Sequence, residues 1–213
     1  MFEKEKAELI QAGVRLDRYG LIALGGGNVS MRMPTGEILM SPSGMIYEEL
    51  VPEDVVVMDI EGNIIEGRRR PSSDIGALLY IFKQMPEVNA VIHTHQPLAT
   101  GIGLVEDKFI CNLSTLANAT RGAVTVAPYG PPNSMLMGEN TVKYLNGKLA
   151  VILKHHGVVS VGDSLKQALY ACVYLEEAAK AYIAARSMSD KIALLTDEQV
   201  ESAVEVFKTY GQK

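Results

Sequence analysis

Two short apolar runs in this chain each end in histidine, and they constrain the fold more than any other feature. The first, EVNAVIHTHQP over residues 87–97, places His93 and His95 two positions apart. The second, LAVILKHHGVV over residues 149–159, contains His155 and His156. Both runs have the length and the β-branched content of buried strands. The sequence therefore predicts a sheet in which histidines stand at the ends of two core strands.

The spacing of these histidines predicts a metal site. In a strand, residues i and i+2 share a face, so the side chains of His93 and His95 project the same way. Neighbouring strand residues face oppositely, so only one of His155 and His156 can join them. A catalytic zinc typically takes three protein ligands and keeps a fourth position for water or substrate. We therefore expect three of the four histidines in the chain to hold a transition metal.

The rest of the chain shows helical and strand patterns in turn. Apolar spacing predicts a helix over residues 2–19, and a second helix that begins behind Ser72 or Ser73 as its N-cap. Two closing helices are predicted over residues 163–188 and 196–209. Strands are predicted in the β-branched segments NVSMRM, GEILMS, DVVVMDIEGNII and GAVTVAPY. This mixture predicts an α/β fold of the α+β type, with a central, mainly antiparallel sheet flanked by helices.

Length, charge and cysteine use limit the kind of protein. The 213 residues fit a single domain over 1–213, without repeat or linker. The net charge of -5, without a basic stripe, predicts no nucleic-acid partner. We expect no membrane partner either, and a cytoplasmic location, because no segment resembles a signal peptide or a bilayer span. Cys111 and Cys172 match no paired spacing, which predicts free, buried thiols in a reducing compartment.

Three segments rich in glycine and serine predict contacts to phosphate. In RPSSD, residues 70–74, two hydroxyls and a carboxylate precede a predicted helix, whose free N–H groups and dipole favour an anion. GGGNVS, residues 25–30, and SPSG, residues 41–44, are turns whose backbone donors can surround phosphate oxygens. Each segment alone is also a common turn. Together they predict a phosphorylated substrate.

The order and spacing of several motifs resemble the class II aldolase and adducin family over nearly the whole chain. These motifs are GGGNVSMR, MSPSGMIYEEL, EGRRRPSSD, AVIHTHQP, LKHHGVV and FKTYG. The resemblance implies one Zn²⁺ per subunit, held by His93, His95 and His156. It implies substrate-phosphate contacts from Gly27, Asn28, Ser43, Gly44, Ser72 and Ser73. It also implies a homotetramer with sites at subunit interfaces, where Asp74 transfers protons and Tyr210 reaches the site of a neighbouring subunit.

The implied reaction is cleavage of a ketose phosphate, such as L-fuculose 1-phosphate, to dihydroxyacetone phosphate and a small aldehyde. A metal-stabilised enediolate would carry the reaction, with no Schiff-base lysine. Two departures from the aldolases of this family keep an alternative open, since Asp74 replaces their usual glutamate and Ser114 their usual tyrosine.

Aspartate at position 74 is typical of the related L-ribulose-5-phosphate 4-epimerases. Those enzymes also have an acidic residue where Asn118 stands, and an insertion that this chain lacks, so we rank the aldolase first. A non-catalytic, adducin-like binding module is a third alternative. The metal histidines argue against it, because function depends on the site more than on the fold.

Overall fold

The computed structural model of the protein describes residues 1–207, and a single nine-stranded sheet lies at the centre of this range. Its strands are β1 (Asn28–Arg32), β2 (Ile38–Met40), β3 (Val56–Met58), β4 (Ile64–Glu66), β5 (Ala90–Thr94), β6 (Lys108–Phe109), β7 (Val124–Ala127), β8 (Ala150–Leu153) and β9 (Gly157–Gly162). Their order across the sheet is β4-β3-β2-β1-β5-β9-β8-β7-β6. Strand β5 carries the first histidine run, whereas the second run forms β8, a turn and the start of β9. The order β5-β9-β8 places both runs in the middle of the sheet.

Helices cover both faces of this sheet. They are α1 (Glu3–Arg18), α2 (Ile75–Gln84), α3 (Pro97–Val105), α4 (Ser114–Thr120), α5 (Met135–Leu145), α6 (Leu165–Met188) and α7 (Asp197–Phe207). Helices α2 and α5 pack on one face, in a core that includes Val151 and Val159. Helices α1, α3, α4 and α6 pack on the other face. Because both faces are covered, the central strands are buried along their whole length.

The predicted α+β fold with a mainly antiparallel sheet is confirmed. Neighbouring strands pair antiparallel, except that β7 and β8 run parallel. A parallel pair needs a crossover connection, and α5 supplies it. The sequence patterns predicted both strands and did not predict this helix.

The start of α2 differs from the prediction. Asp74 is the N-cap residue, and neither Ser72 nor Ser73 takes that position. The reason is that Ser72 belongs to a local turn, in which its hydroxyl accepts a hydrogen bond from the Asp74 N–H at 3.3 Å. Its own N–H donates to the Ser41 carbonyl at 3.2 Å, which fixes this turn against the segment after β2.

The closing helices and the cysteines follow the prediction closely. Helix α6 begins two residues later than predicted, behind Ser164, whose hydroxyl accepts a hydrogen bond from the Gln167 N–H. The predicted helical residues 208–209, and Tyr210, lie outside the described residues. Cys111 and Cys172 are free and buried, as predicted. Within residues 1–207, no helix has both the length and the apolar character that crossing a bilayer requires.

Candidate active site

His93 is the most firmly held of the histidines. It lies in β5, where it pairs with Asn28 of β1 on one side and with Val159 of β9 on the other. Its side chain is fully buried, and Nδ1 lies 2.9 Å from the carbonyl oxygen of Val158. Because a carbonyl can only accept, Nδ1 carries the proton and Nε2 keeps a free lone pair. This arrangement is typical of a metal-binding imidazole, which donates its other ring N–H to a fixed acceptor.

His95 and His156 complete a cluster around this lone pair. His95 follows the end of β5, and its Nε2 lies 3.1 Å from Nε2 of His93. The ring of His156 is centred 4.7 Å from that of His93 and 5.4 Å from that of His95. One potential ligand atom of each histidine lies within 4.8 Å of the others. The structure thus brings the three predicted ligands to one point.

The route by which His156 reaches the cluster differs from the prediction. His155 and His156 lie in the turn between β8 and β9, so strand alternation does not separate them. His155 has φ 60°, in the left-handed region, and its exposed ring lies 6.4 Å from that of Tyr129. Gly157 follows them, and a Cβ there would lie only 2.1 Å from the carbonyl oxygen of Thr94. The turn therefore depends on one left-handed residue and on one residue without a side chain.

The electrostatics of the cluster favour neutral imidazoles. Burial, together with the positive charges that His156 and His95 would carry, lowers the pKa of His93 to about 3, although the hydrogen bond to Val158 opposes this shift. Burial and His95 also lower the pKa of His156, against the opposing effect of Asp74. A neutral imidazole is the form that binds a metal. Neutral pH therefore leaves both rings ready to act as ligands.

The cluster fits a divalent cation. Two imidazole nitrogens on one tetrahedral zinc lie roughly 3.3 Å apart, since each zinc–nitrogen bond is about 2.0–2.1 Å long. The observed separation of 3.1 Å between His93 Nε2 and His95 Nε2 is close to this value. Four buried side-chain polar atoms of the described residues lack a hydrogen-bond partner, and two of them, Nδ1 of His156 and Oδ1 of Asn28, belong to this site. Unpaired buried polar atoms are costly, so such atoms at one site indicate a bound group.

A carboxylate lies beside the histidines. Asp74 is 7% exposed, and its Oδ2 lies 4.0 Å from Nε2 of His93. The same oxygen accepts a hydrogen bond from Asn28 Nδ2 at 2.9 Å. Its other oxygen, Oδ1, accepts one from the backbone N–H of Asn133 at 3.3 Å. Asn133 was not predicted, because a backbone donor in a loop has no side-chain pattern that would identify it.

The three segments predicted to bind phosphate meet at the edge of this cluster. A Cβ on Gly27 would lie 2.6 Å from the His93 carbonyl oxygen, and one on Gly25 would lie 2.6 Å from the backbone of Gly44. The Ser43 N–H donates to the carbonyl of Arg70 at 3.0 Å, which joins the second segment to the third. Asn28 and Ser72 are buried, while Ser43, Gly44 and Ser73 are exposed. The close backbone contacts explain the glycines of the first segment.

Two further residues of the sequence analysis lie in α4. Ser114 begins this helix and is exposed, where it lines a groove together with Gln199 and Ser202 of α7. Asn118 lies one helical turn further on and is half-buried. The aldolase and epimerase interpretations differ at these two positions.

Three histidines that converge at the ends of the central strands, beside the aspartate that caps α2, are typical of a metal-dependent enzyme, and sequence comparison gives the family. Residues 7–183 match the family described as Class II Aldolase and Adducin N-terminal domain, and the chain belongs to that family. The family resemblance stated from the sequence is confirmed.

The similar proteins are aldolases. The 5-deoxy-D-ribulose 1-phosphate aldolase of Bacillus thuringiensis serovar kurstaki is 30% identical over 216 residues, which cover 100% of both chains. The L-fuculose phosphate aldolase of Escherichia coli (strain K12) is 29% identical, over 96% of this chain and 94% of that protein. A solved structure of L-fuculose 1-phosphate aldolase has a TM-score of 0.89 and 31% identity, over 95% of each chain. The protein is accordingly a class II aldehyde-lyase.

Proposed function

We propose that the protein is a zinc-dependent aldolase that cleaves a ketose 1-phosphate to dihydroxyacetone phosphate and a small aldehyde. The observation that carries this proposal is the convergence of three imidazoles beside the carboxylate of Asp74, 4.0 Å from His93. L-Fuculose 1-phosphate is the first candidate substrate, and 5-deoxyribulose 1-phosphate is the second. The names of the two relatives support these candidates. Both sugars would release the same three-carbon fragment.

His93, His95 and His156 would hold the cation, one per subunit. When bound, Zn²⁺ supplies Lewis acidity that stabilises negative charge on the oxygens of the ketose. Three neutral imidazoles suit this ion, because zinc at catalytic sites commonly takes three protein ligands. The hydrogen bond from His93 to Val158 keeps the ring oriented before any ligand arrives.

Asp74 is assigned the proton transfer at carbon. In the cleavage direction the C4 hydroxyl loses its proton, the C3–C4 bond breaks, and the electron pair stays on the three-carbon fragment. This fragment then takes up a proton at C3. Asp74 can deliver it because Asn28 and Asn133 hold both of its oxygens in one orientation. Removal of the C4 hydroxyl proton is assigned to Tyr210 of a neighbouring subunit. Tyr210 lies outside the described residues.

We assign binding of the substrate phosphate to the three glycine- and serine-rich segments that meet at the edge of the histidine cluster. Some of their backbone N–H groups, those of Ser43 and Ser72 among them, already donate within the protein. Their hydroxyls and remaining N–H groups are suited to phosphate oxygens, and the last segment leads into the N-terminus of α2, where the helix dipole favours an anion. Binding the phosphate at a fixed distance from the histidines would orient the reacting carbons. The assigned residues are Gly27, Asn28, Ser43, Gly44, Ser72 and Ser73.

A homotetramer in the cytoplasm completes the proposal. The assembly follows from the resemblance to class II aldolases, in which a residue of one subunit completes the site of the next. The location is supported by two free, buried thiols, which suit a reducing compartment.

The test is a comparison of three substrates. Zinc-loaded protein is incubated separately with L-fuculose 1-phosphate, 5-deoxyribulose 1-phosphate and L-ribulose 5-phosphate. Dihydroxyacetone phosphate is followed by its enzymatic reduction, and xylulose 5-phosphate by chromatography. We expect dihydroxyacetone phosphate from at least one of the first two sugars.

The epimerase is the second candidate because aspartate, and not glutamate, occupies position 74. Xylulose 5-phosphate from the third sugar, without dihydroxyacetone phosphate from the others, would establish it instead. Absence of both products from zinc-loaded protein would overturn both candidates.

A further inference from the structure

The helix that follows His95 is capped by a carboxylate from a distant part of the chain. Helix α3 begins at Pro97, and its N-cap residue Gln96 makes no side-chain cap of its own. Glu176 of α6 takes this role: Oε1 accepts from the Leu98 N–H and Oε2 from the Ala99 N–H, each at 2.9 Å. The first turn of a helix has free N–H groups and a partial positive charge, so a carboxylate there stabilises the helix start.

The same carboxylate is linked to both sequence neighbours of His95. The side-chain amide of Gln96 donates to Glu176 Oε2 and to the carbonyl oxygen of Cys172, both at 3.3 Å. Its amide oxygen accepts from the Thr94 hydroxyl at 2.7 Å. Thr94 and Gln96 are 0% exposed and Glu176 is 5% exposed. A satisfied polar network in a dry interior is rigid, so this one fixes the backbone on both sides of His95.

His95 depends on this support more than His93 does. His93 lies inside β5, and its ring donates to Val158. His95 lies beyond the strand end and is exposed. Its position is therefore set by the short backbone segment between Thr94 and Gln96, where the sheet ends and α3 begins.

We propose that Glu176, acting through Gln96 and the start of α3, is a positioning residue that holds His95 in its metal-binding orientation. This inference depends on the metal centre of the proposed function. Within residues 1–207, the hydrogen bonds of Glu176 go to Gln96, Leu98 and Ala99 and not to a histidine or a predicted substrate segment. Its effect would therefore appear first in metal affinity. Loss of an outer partner of this kind typically lowers metal affinity about 10–100-fold.

The test uses Co²⁺ alone, as a visible substitute for Zn²⁺, on the full-length protein without sugar. Glu176→Gln keeps the side-chain volume, but its amide NH₂ would face N–H donors at the start of α3. The control is Ser160→Ala, which removes another buried hydrogen bond to α6, from the Ser160 hydroxyl to the Ala168 carbonyl at 3.0 Å. The Ser160 hydroxyl also interacts with the Cys172 thiol, but the control removes no atom of residues 94–99, of Glu176 or of the Cys172 carbonyl that accepts from Gln96. Affinity is measured by competition with a chelator, together with the visible absorption of bound cobalt and the melting temperature.

We expect Glu176→Gln to bind Co²⁺ about 10–100-fold more weakly and with an altered absorption spectrum. Ser160→Ala should lower the melting temperature while its affinity stays within about twofold of that of the parent protein, since a purely structural loss leaves the ligands in place. Equal affinity and equal spectra for Glu176→Gln and the parent would overturn the positioning role alone. A parent protein that binds no Co²⁺ would overturn the metal centre and this inference with it.

Gln96→Leu gives an independent test if Glu176→Gln does not fold. It removes the link from Thr94 to Glu176 and leaves the two backbone N–H bonds of Glu176 to α3 intact. We expect about 10-fold weaker Co²⁺ binding in this variant. Unchanged affinity would show that the network does not position His95.

Discussion

At the scale of single residues, two adjacent histidines have the same chemistry and different surroundings. His155 adopts φ 60° and lies exposed beside Tyr129, whereas His156 lies in the cluster with His93. The left-handed conformation is uncommon for residues other than glycine, and it costs energy that the surrounding turn must offset. The turn thus separates a proposed metal ligand from a neighbouring histidine that lies outside the cluster.

This difference predicts opposite results for substitutions at neighbouring positions. His156→Ala should remove bound zinc and cleavage activity, because two imidazoles alone bind zinc far more weakly than three. His155→Asn should keep both, since asparagine tolerates a left-handed backbone and the removed ring lies outside the cluster. Metal content by mass spectrometry, with the rate of triose phosphate release, checks both variants. Full zinc content in His156→Ala would contradict the ligand assignment.

Asp74 gives a second prediction at this scale. Asp74→Asn preserves the shape of the side chain and cannot exchange a proton, so kcat should fall about 100- to 10,000-fold. Zinc should stay bound, because the three histidines are unchanged. Steady-state kinetics on zinc-loaded protein, alongside zinc content, measure the two effects separately. A kcat equal to that of the parent would exclude Asp74 from proton transfer.

At the scale of elements, the sequence predicted the strands that local residue patterns identify. The apolar runs around His93 and His156 identified two strands, because their periodicity and length depend only on nearby residues. Helix α5 was not predicted. The parallel pairing of β7 and β8 that it makes possible was missed because strand order depends on contacts between residues distant in the chain. Glu176 was missed for the same reason, since its partner Gln96 lies 80 residues away.

The hairpin between β8 and β9 allows a prediction about backbone packing. A methyl group at Gly157 would overlap the Thr94 carbonyl oxygen, 2.1 Å away. Gly157→Ala should therefore destabilise the protein by about 1–3 kcal/mol and weaken zinc binding, because the adjacent His156 must move. Urea denaturation and zinc titration test the two effects.

Gly101→Ala is the matched control for this prediction. Gly101 lies in α3 with open space around its Cβ position, so alanine there should stabilise the helix by roughly 0.5–1 kcal/mol. Equal stability of Gly157→Ala and the parent protein would show that the strands separate without cost. Such a result would show that the Thr94 carbonyl oxygen does not require glycine at position 157.

At the scale of the whole molecule, the histidine cluster lies beside the central strand of the sheet. Strand β5 has four strands on each side of it, and its two neighbours position Asn28 and the turn that carries His156. The cluster thus joins elements that are far apart in the chain. A bound cation should act as a crosslink within the folded state, and its removal should be measurable as a change in global stability.

Chelation should therefore lower the melting temperature. An ion present at about 100 times its Kd adds roughly 2.7 kcal/mol of stability, and a chain of this size shifts by about 2–4 °C per kcal/mol. The expected decrease is thus on the order of 5–10 °C, and it should be reversed by Zn²⁺ but not by Mg²⁺, which prefers oxygen ligands. Calorimetry with and without a chelator measures it, with His156→Ala as a variant that should not respond. Equal melting temperatures with and without bound zinc would contradict the expected stabilisation of the fold by the cation.

The donor that Asn133 offers to Asp74 belongs to the main chain, at a residue with φ 63°. Almost every amino acid exchange preserves an amide hydrogen, and proline, which lacks one, requires φ near -65° and cannot adopt this conformation. Substitutions other than proline therefore keep the donor, while changes in the length of the loop that precedes α5 would move it. Insertions and deletions there would reorient the aspartate side chain without replacing any of the proposed site residues.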